Sequence, residues 1–454
     1  MRPPKPCLMR VSAPHLASTI GHRGDRWRAG LPIAYVAGTN SSQPDDGLGK
    51  SLSMEPTPKP SNPPSDGQSE FSLMCGGPLY RLYLSTKMGR EPLALLGRRL
   101  VVVSLIAWLP LLILSAITGA LIGGPVRVPF LYDIEVHIKY LLSLPLLIAA
   151  EMPVHRHLLP LKRMFVERGL ISSEDRPRYE RIFASATRLC YSGRVELLLL
   201  VVVYAIGHPL WIREIELPIA TWYASPSAEG LRLTLPGYWY AFVSAPLLQF
   251  LFLRWYVRLF VWARLLWQVS RLNLHLIPAH PDRKGGLGFL EESVMGFALF
   301  LLAEGVGLAA PIADDVFYEG LQLANFEWVL AGVILLLPVI VLSPLAFFAG
   351  KLLRAKSEGL DEYGNLASRY AEEFDQKRIR GGAPEAEPLL GNADFKSLSG
   401  MITIIRGIEE TQLIPCGKET LIQLVVITAL PFVPLMMTFF PMKEVLIKFL
   451  EMLI

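Results

Sequence analysis

Charged residues are scarce in this sequence. Only 19% of its 454 residues are Asp, Glu, Lys or Arg, whereas 52% are hydrophobic, and the mean hydropathy is +0.38. A water-soluble domain typically carries about 25% charged residues, so an ordinary soluble enzyme of this length is disfavoured. The apolar residues also gather into blocks of about 18 to 25, the length that an α-helix needs to cross a bilayer. The composition therefore predicts an all-α, multi-pass membrane protein.

Cysteine and enzyme signatures are also scarce. The four cysteines, Cys7, Cys75, Cys190 and Cys416, lie far apart and form no CxxC pair, which excludes a disulfide framework and a structural zinc site. The sequence contains no GxSxG, HExxH or Walker A motif, so an enzyme is less expected than a protein without catalytic activity, and no cofactor is indicated. No nucleic-acid-binding motif accompanies the basic residues, which excludes nucleic acid as a partner.

Residues 1–75 lack any apolar run long enough to form a core. They contain 11 prolines, 10 serines and 7 glycines, a composition typical of disorder. We expect either a flexible cytosolic tail or an upstream start-site error, for which Met54, Met74 and Met88 are alternative starts.

Hydropathy predicts seven membrane spans. The second is the weakest, because Glu151, Pro153 and Arg156 interrupt it and its inner end could lie along the interface. The predicted spans are residues 100–122, 140–159, 195–212, 238–255, 294–312, 328–349 and 421–440.

The distribution of basic residues predicts the orientation. Segments 80–99, 156–194, 254–293 and 351–419 contain 30 Lys and Arg, against 6 in all the alternate segments. By the positive-inside rule, the N-terminus lies in the cytosol and the C-terminus outside, most simply in a bacterial inner membrane. The inner basic loops favour anionic lipid as a partner at that face.

Three predicted cytosolic regions follow from this orientation. They are the loops 156–194 and 256–293 and a helical segment, 351–419, whose apolar residues recur every three or four positions. The region 76–350 thus forms the membrane domain with six spans. The last part, 420–454, supplies the seventh span and a short outer amphipathic helix.

Glu304 is the most informative polar residue within a predicted span. It lies near the centre of the fifth span, followed by Gly305 and Gly307. A carboxyl at this depth must be protonated, paired or in contact with water, as in a proton or cation pathway, although packing through a protonated carboxyl is the alternative. His208, in Gly207-His208-Pro209 near the outer end of the third span, is a second transport candidate or simply an interfacial histidine.

The cytosolic stretch His275–Glu292 is the most distinctive polar sequence. Glycines before a helix can present backbone N–H groups to an anion, and neighbouring basic side chains add charge, so we expect a phosphate or lipid-headgroup site or a gate here. The alternative is a tight turn in which glycine supplies unusual backbone angles and His280 and Asp282 cap the turn. The candidate residues are His280, Asp282, Arg283, Lys284, Gly285, Gly286 and Gly288.

Glu151 and His155 are weak candidates for metal ligands. Their spacing of four residues places both on one helix face. Two ligands do not make a site, however, and no third follows at a recognisable spacing, so an interfacial ion pair is the stronger interpretation.

These features favour a transporter or channel for a cation or a proton-coupled solute. Prolines inside most spans support this class, because interrupted helices build midplane sites and hinges. The first alternative is a membrane-embedded enzyme or sensor that binds a phosphate-bearing ligand or lipid headgroup at His275–Glu292. The second is a membrane scaffold that acts through its cytosolic helices. Homo-oligomerisation is compatible with each.

Overall fold

The computed structural model describes residue 73 and residues 96–124, 126–210, 220–227, 230–381 and 393–437. All of them belong to one compact unit, Gln68–Ile454. The predicted disordered tail, apart from Leu73, and the predicted outer helix after residue 440 lie outside the described residues.

The first half of the described chain is almost entirely helical. Its helices are α1 (Leu96–Ile117), α2 (Ile134–Ile138), α3 (Leu144–Ala149), α4 (Glu151–Leu158), α5 (Leu161–Glu167), α6 (Arg176–Cys190), α7 (Gly193–Val202), α8 (Leu235–Trp239) and α9 (Ala245–Ser270). A short 3₁₀ turn, Phe130–Tyr132, precedes α2. Two four-residue strands, β1 (Ala224–Ser227) and β2 (Gly230–Leu233), pair antiparallel with Ala224 opposite Leu233.

The second half continues the pattern. Its helices are α10 (Phe289–Met295), α11 (Ala298–Asp314), α12 (Glu327–Leu342), α13 (Ala349–Asp375), α14 (Ala393–Glu409), α15 (Lys418–Ala429) and α16 (Val433–Met437). The 3₁₀ turns Leu323–Phe326, Ser343–Phe348 and Leu430–Phe432 join or extend them.

Six helices in the described part of the chain are long and apolar enough to cross a membrane. They are Leu96–Ile117, Gly193–Leu210, Leu235–Ser270, Phe289–Tyr318, Leu323–Arg380 and Lys418–Met437. Each contains or overlaps one of the predicted spans. The predicted second span, 140–159, is missing from this set because a turn at Ala150 divides it into α3 and α4.

Three prolines in the described helices follow a widened helical turn. Pro145, Pro209 and Pro246 each stand two residues after a five-residue π-helical turn. Because the proline ring displaces the carbonyl of the preceding turn and removes a donor, a wider turn accommodates it without ending the helix. The three π turns are Lys139–Ser143, Val203–Gly207 and Tyr240–Ser244.

Aromatic side chains from neighbouring helices bind two carbonyl groups that proline deprives of their α-helical donor. Pro110 stands four residues after Ile106, whose carbonyl accepts a hydrogen bond of 3.3 Å from the Trp239 indole. Pro246 stands four residues after Phe242, whose carbonyl accepts one of 2.9 Å from the Tyr204 hydroxyl. An apolar environment offers no water to these carbonyls, so side-chain donors stabilise the interrupted helices.

Helix α9 runs through the centre of the core. Trp255 and Trp262 on this helix are buried, and the Trp255 indole donates a hydrogen bond of 3.0 Å to the Leu147 carbonyl. The Trp255 ring also stacks on Phe300 of α11, with centroids 5.0 Å apart. Large aromatic rings bury much apolar surface, so this contact holds α3, α9 and α11 together.

Candidate functional site

Glu304 lies on α11, the helix with the largest buried fraction among the six long ones. The residue is only 4% exposed. The apolar residues around it on α11, including Leu301, Ala303 and Val306, are buried as well. The structure thus places this carboxyl in the interior of the protein, a position that its mid-span location in the sequence left open.

The polar side chain that acts on Glu304 is Tyr256 of α9, whose hydroxyl lies close to the carboxyl. Within the described residues, the carboxyl oxygen Oε1 is buried and has no hydrogen-bond partner. Tyr256 itself is 40% exposed at the edge of the bundle. The Tyr256 side chain thus stands between the buried carboxyl and the outside of the protein.

Two glycines give neighbouring helices close access to this part of α11. A Cβ at Gly305 would lie 2.7 Å from the Thr428 carbonyl oxygen of α15, and one at Gly307 would lie 3.2 Å from Ser143 Oγ. The Ser143 hydroxyl donates a hydrogen bond of 2.9 Å to the Ala303 carbonyl. Small residues at such positions let helix backbones approach closely in a membrane, so Glu304 is enclosed by α9, α15 and the helical segment that contains Ser143.

His208 occupies a different environment. It directly follows the π turn Val203–Gly207, and its ring lies 4.7 Å from the ring of Phe242. Gly207 lies against the side chain of Gln249 on α9. The structure thus places Glu304 against Tyr256 and His208 against Phe242, and it does not join the two transport candidates in one contact.

The largest buried charged cluster in the described chain consists of Arg99, Glu151, Glu196, Arg254 and Arg258, hereafter the inner ionic cluster. All five residues are buried. They come from four helices, α1, α4, α7 and α9, near the predicted cytosolic ends of their spans. Buried charges of this kind are stable only when they are paired.

Glu151 is at the centre of the inner ionic cluster. Its Oε1 accepts a hydrogen bond of 2.9 Å from Arg258 and lies 3.7 Å from Arg254, while Oε2 lies 3.5 Å from Arg99. Arg254 also reaches Glu196, at 3.3 Å. Glu151 therefore pairs with arginines of other helices, but it does so in the interior and not at the interface where the ion pair was expected.

Four members of the cluster were not identified as site residues from the sequence. Arg254 and Arg258 are one helical turn apart and directly follow an apolar span, a spacing that is also typical of exposed interfacial anchors. Arg99 and Glu196 lie far from them in sequence. Only the packing of α1, α4, α7 and α9 brings the five side chains together.

The loop after α9 is organised by Asp282. Its Oδ1 accepts hydrogen bonds from the backbone N–H groups of Lys284 and Gly286, at 2.8 and 3.1 Å, and its Oδ2 accepts one from Gly288, at 2.9 Å. Burial opposes the charge, but these N–H groups hold the pKa of Asp282 below its usual value. The donors expected to bind an external anion are thus directed at the protein's own carboxylate.

Glycine is required at two positions in this loop, because Gly285 and Gly286 have φ angles of +63° and +93°. The basic side chains here also have partners within the protein. Arg283 forms an ion pair of 2.6 Å with Glu410, and Lys284 pairs with Glu291. The His280 ring lies 2.8 Å from Asp282.

Further contacts connect this loop to other segments of the chain. Arg168 donates a hydrogen bond of 2.9 Å to the Gly286 carbonyl, and the Gln412 backbone N–H donates one of 2.9 Å to the Arg283 carbonyl. Gly417 N–H donates to Glu291 at 2.7 Å. The geometry therefore favours the structural interpretation of the loop.

Among the described residues, no group of three His, Cys, Asp or Glu side chains is placed to hold a metal ion.

No protein-family model, curated protein or solved structure shows significant similarity to this chain.

Proposed function

We propose that this protein is a multi-pass membrane transporter in which the Glu304 carboxyl binds and releases a proton or a monovalent cation during transport. The observation that carries the proposal is a carboxyl 4% exposed, one oxygen of which has no hydrogen-bond partner among the described residues. A carboxyl confined in this way favours its neutral, protonated form until a conformational change or water supplies a better environment for the charge.

Tyr256 supports this role because its hydroxyl is both a donor and an acceptor. The hydroxyl lies close to Glu304 and Tyr256 is partly exposed, so this side chain offers a short route between the buried carboxyl and the outside of the bundle. A proton-coupled solute suits this arrangement better than a divalent metal, because Glu304 has a single hydroxyl partner rather than a set of oxygen ligands.

The proposal includes the finer topology predicted from the sequence. The chain crosses a bacterial inner membrane seven times, with the divided segment of α3 and α4 as the second crossing, the N-terminus in the cytosol and the C-terminus outside. The inner ionic cluster supports this arrangement, because it brings the predicted cytosolic ends of four spans to one level.

The test is proton and cation flux through the purified protein in liposomes under an imposed potential. We expect Glu304→Gln, which preserves shape and removes the titrating group, to reduce flux at least tenfold, and Glu304→Asp to restore part of it. The control is Glu167→Gln, which removes an exposed carboxylate from the surface pair with Arg163. Equal flux in the wild type and Glu304→Gln, or no flux above empty liposomes, would exclude the proposal.

A second candidate function is a scaffold, and a specific surface favours it. Helices α13 and α14 pack as a hairpin through the ring contact of Phe374 with Phe395 and the ion pair of Arg378 with Asp394. The large apolar side chains of Leu366 and Ile402 remain exposed on the surface of this hairpin. If the scaffold function is correct, Leu366→Asp abolishes the cellular function while Glu304→Gln leaves it intact.

A further inference from the structure

An open apolar groove lies along the outward face of α1. Its volume is about 480 Å³, and its lining is entirely apolar. Val102, Leu105, Leu109 and Ile113 succeed one another on one face of the helix, with Pro110 beside them and Trp239 of α8 as the opposite wall.

Trp239 is held in place as a wall of this groove by a polar contact. Its indole N–H donates to the Ile106 carbonyl at 3.3 Å, and that carbonyl is available because Pro110 has no N–H to offer it. The groove is therefore formed by the contact between α1 and α8, and the hydrogen bond fixes the position of the Trp239 wall.

The length of the groove matches one leaflet of a membrane. Val102 and Ile113 are 11 residues apart, about 16 Å along a helix, and half of a hydrocarbon core is about 15 Å. Leu105 and Ile113 are 43% and 50% exposed. An acyl chain lying in the groove would therefore cover apolar surface that solvent or loosely held lipid otherwise contacts.

A positive charge stands at one end of the same face. Arg98 is exposed and precedes Val102 by four residues, which places it one turn away on the same side of α1. This is the end of the helix that the distribution of Lys and Arg assigns to the cytosolic leaflet, where anionic lipids are found.

We propose that the groove binds one anionic phospholipid, with the phosphate of its headgroup at Arg98 and one acyl chain lying along Val102 to Ile113 against Trp239. The charge of the guanidinium selects the headgroup, and the apolar lining selects the chain. This site rests on the membrane orientation proposed above, but not on transport.

The experiment counts bound lipid by native mass spectrometry of the full chain in detergent, titrated with phosphatidylglycerol or phosphatidylcholine. We expect the wild type to retain one phosphatidylglycerol in preference to phosphatidylcholine. Arg98→Gln lowers that preference about fivefold, since one basic residue contributes about 1 kcal/mol to binding an anionic surface. Leu109→Trp, which fills the groove, removes both lipids.

The matched control is Leu336→Trp, which adds the same bulk to an exposed position of α12, 57% exposed and away from the groove. We expect it to bind lipid like the wild type. Thermal unfolding of each variant shows whether it is folded, and Arg98→Gln, a surface change, keeps the test valid if Leu109→Trp does not fold.

The proposal is wrong if the wild type binds both lipids equally, if Arg98→Gln leaves the preference unchanged, or if Leu109→Trp retains the lipid. It is also wrong if Leu109→Trp converts a dimer into a monomer, because the groove then receives a second copy of the chain.

Discussion

The Trp108 indole donates a hydrogen bond of 2.9 Å to Nδ1 of His137. An indole N–H only donates, so Nδ1 is the unprotonated ring nitrogen. The proton is therefore assigned to Nε2, which lies 3.3 Å from the Leu131 carbonyl oxygen. The indole favours the neutral imidazole, because a protonated ring presents a second N–H to an indole that cannot accept it, whereas the Leu131 carbonyl acts in the opposite direction. Burial acts in the same direction as the indole and lowers the pKa of His137.

Acidification should destabilise the protein through this contact. The pKa of His137 is lower in the folded protein than the ordinary value of 6.5, so the unfolded chain binds the proton more tightly and stability falls as the pH drops through that value. We expect the melting temperature of the purified protein to fall between about pH 7.5 and about pH 5.5. In His137→Gln, which accepts from Trp108 without titrating, the fall should be smaller. An identical pH dependence in the two proteins would contradict this account.

Glu151 should be among the least replaceable residues of the chain. Substitution by Gln removes the carboxylate that three guanidinium groups approach. Removing one partner of a buried ion pair costs about 3 to 5 kcal/mol, which an unfolding titration in detergent would measure. The exposed change Glu167→Gln should stay within about 0.5 kcal/mol of the wild type. A small effect at Glu151 would mean that water or lipid headgroups reach the cluster.

Asp282→Asn should loosen the His275–Glu292 loop without unfolding the bundle. The carboxylate accepts hydrogen bonds from Lys284, Gly286 and Gly288 through both oxygens, and an amide offers a single acceptor oxygen. A buried donor left without a partner costs about 1 to 3 kcal/mol. Hydrogen exchange should therefore accelerate over residues 276–288 and over 410–417, which contact that loop. Asp361→Asn, at an exposed position on α13, is the control, and similar exchange in the two variants would refute the prediction.

Substitution by alanine should have opposite effects on stability at Gly305 and at Gly332. A methyl group at Gly305 would lie 2.7 Å from the backbone carbonyl of Thr428, whereas Gly332 faces open space. We expect Gly305→Ala to destabilise the contact of α11 with α15 by about 1 to 3 kcal/mol, and Gly332→Ala to stabilise α12 by about 0.5 to 1 kcal/mol. The comparison of their melting temperatures checks both signs, and a tolerated Gly305→Ala would show that α15 moves aside.

Hydropathy predicted the helical class and the position of the long helices because both depend on local composition. The mid-span position of Glu304 also follows from local sequence, since apolar residues flank it for several turns, but its burial inside the protein depends on how the helices pack. The second span had the weakest signal because polar residues from Glu151 onward lower its hydropathy. The structure divides the helix at the same place, at Ala150.

Long-range contacts could not be obtained in this way. Arg254 and Arg258 have the aromatic neighbours of an interfacial anchor, and nothing in their surroundings in sequence indicates that Glu151 lies across the bundle from them. The β1–β2 hairpin was not predicted either, since strands of four residues are too short to show alternation. In the His275–Glu292 loop, the glycines and charged residues are visible in the sequence, but whether the N–H groups bind an outside anion or Asp282 depends on the folded backbone.

The two carbonyl groups bound by Trp239 and Tyr204 limit how the helices can move. The first joins α1 to α8, and the second joins the helix that begins with α7 to the one that contains α8 and α9. Sliding or rotating any one of these helices alone would leave a carbonyl without a donor in an apolar environment. Each of these hydrogen bonds therefore opposes independent movement of the two helices that it joins, so in the transport function proposed above we expect the three helices to move together against α11 and α15.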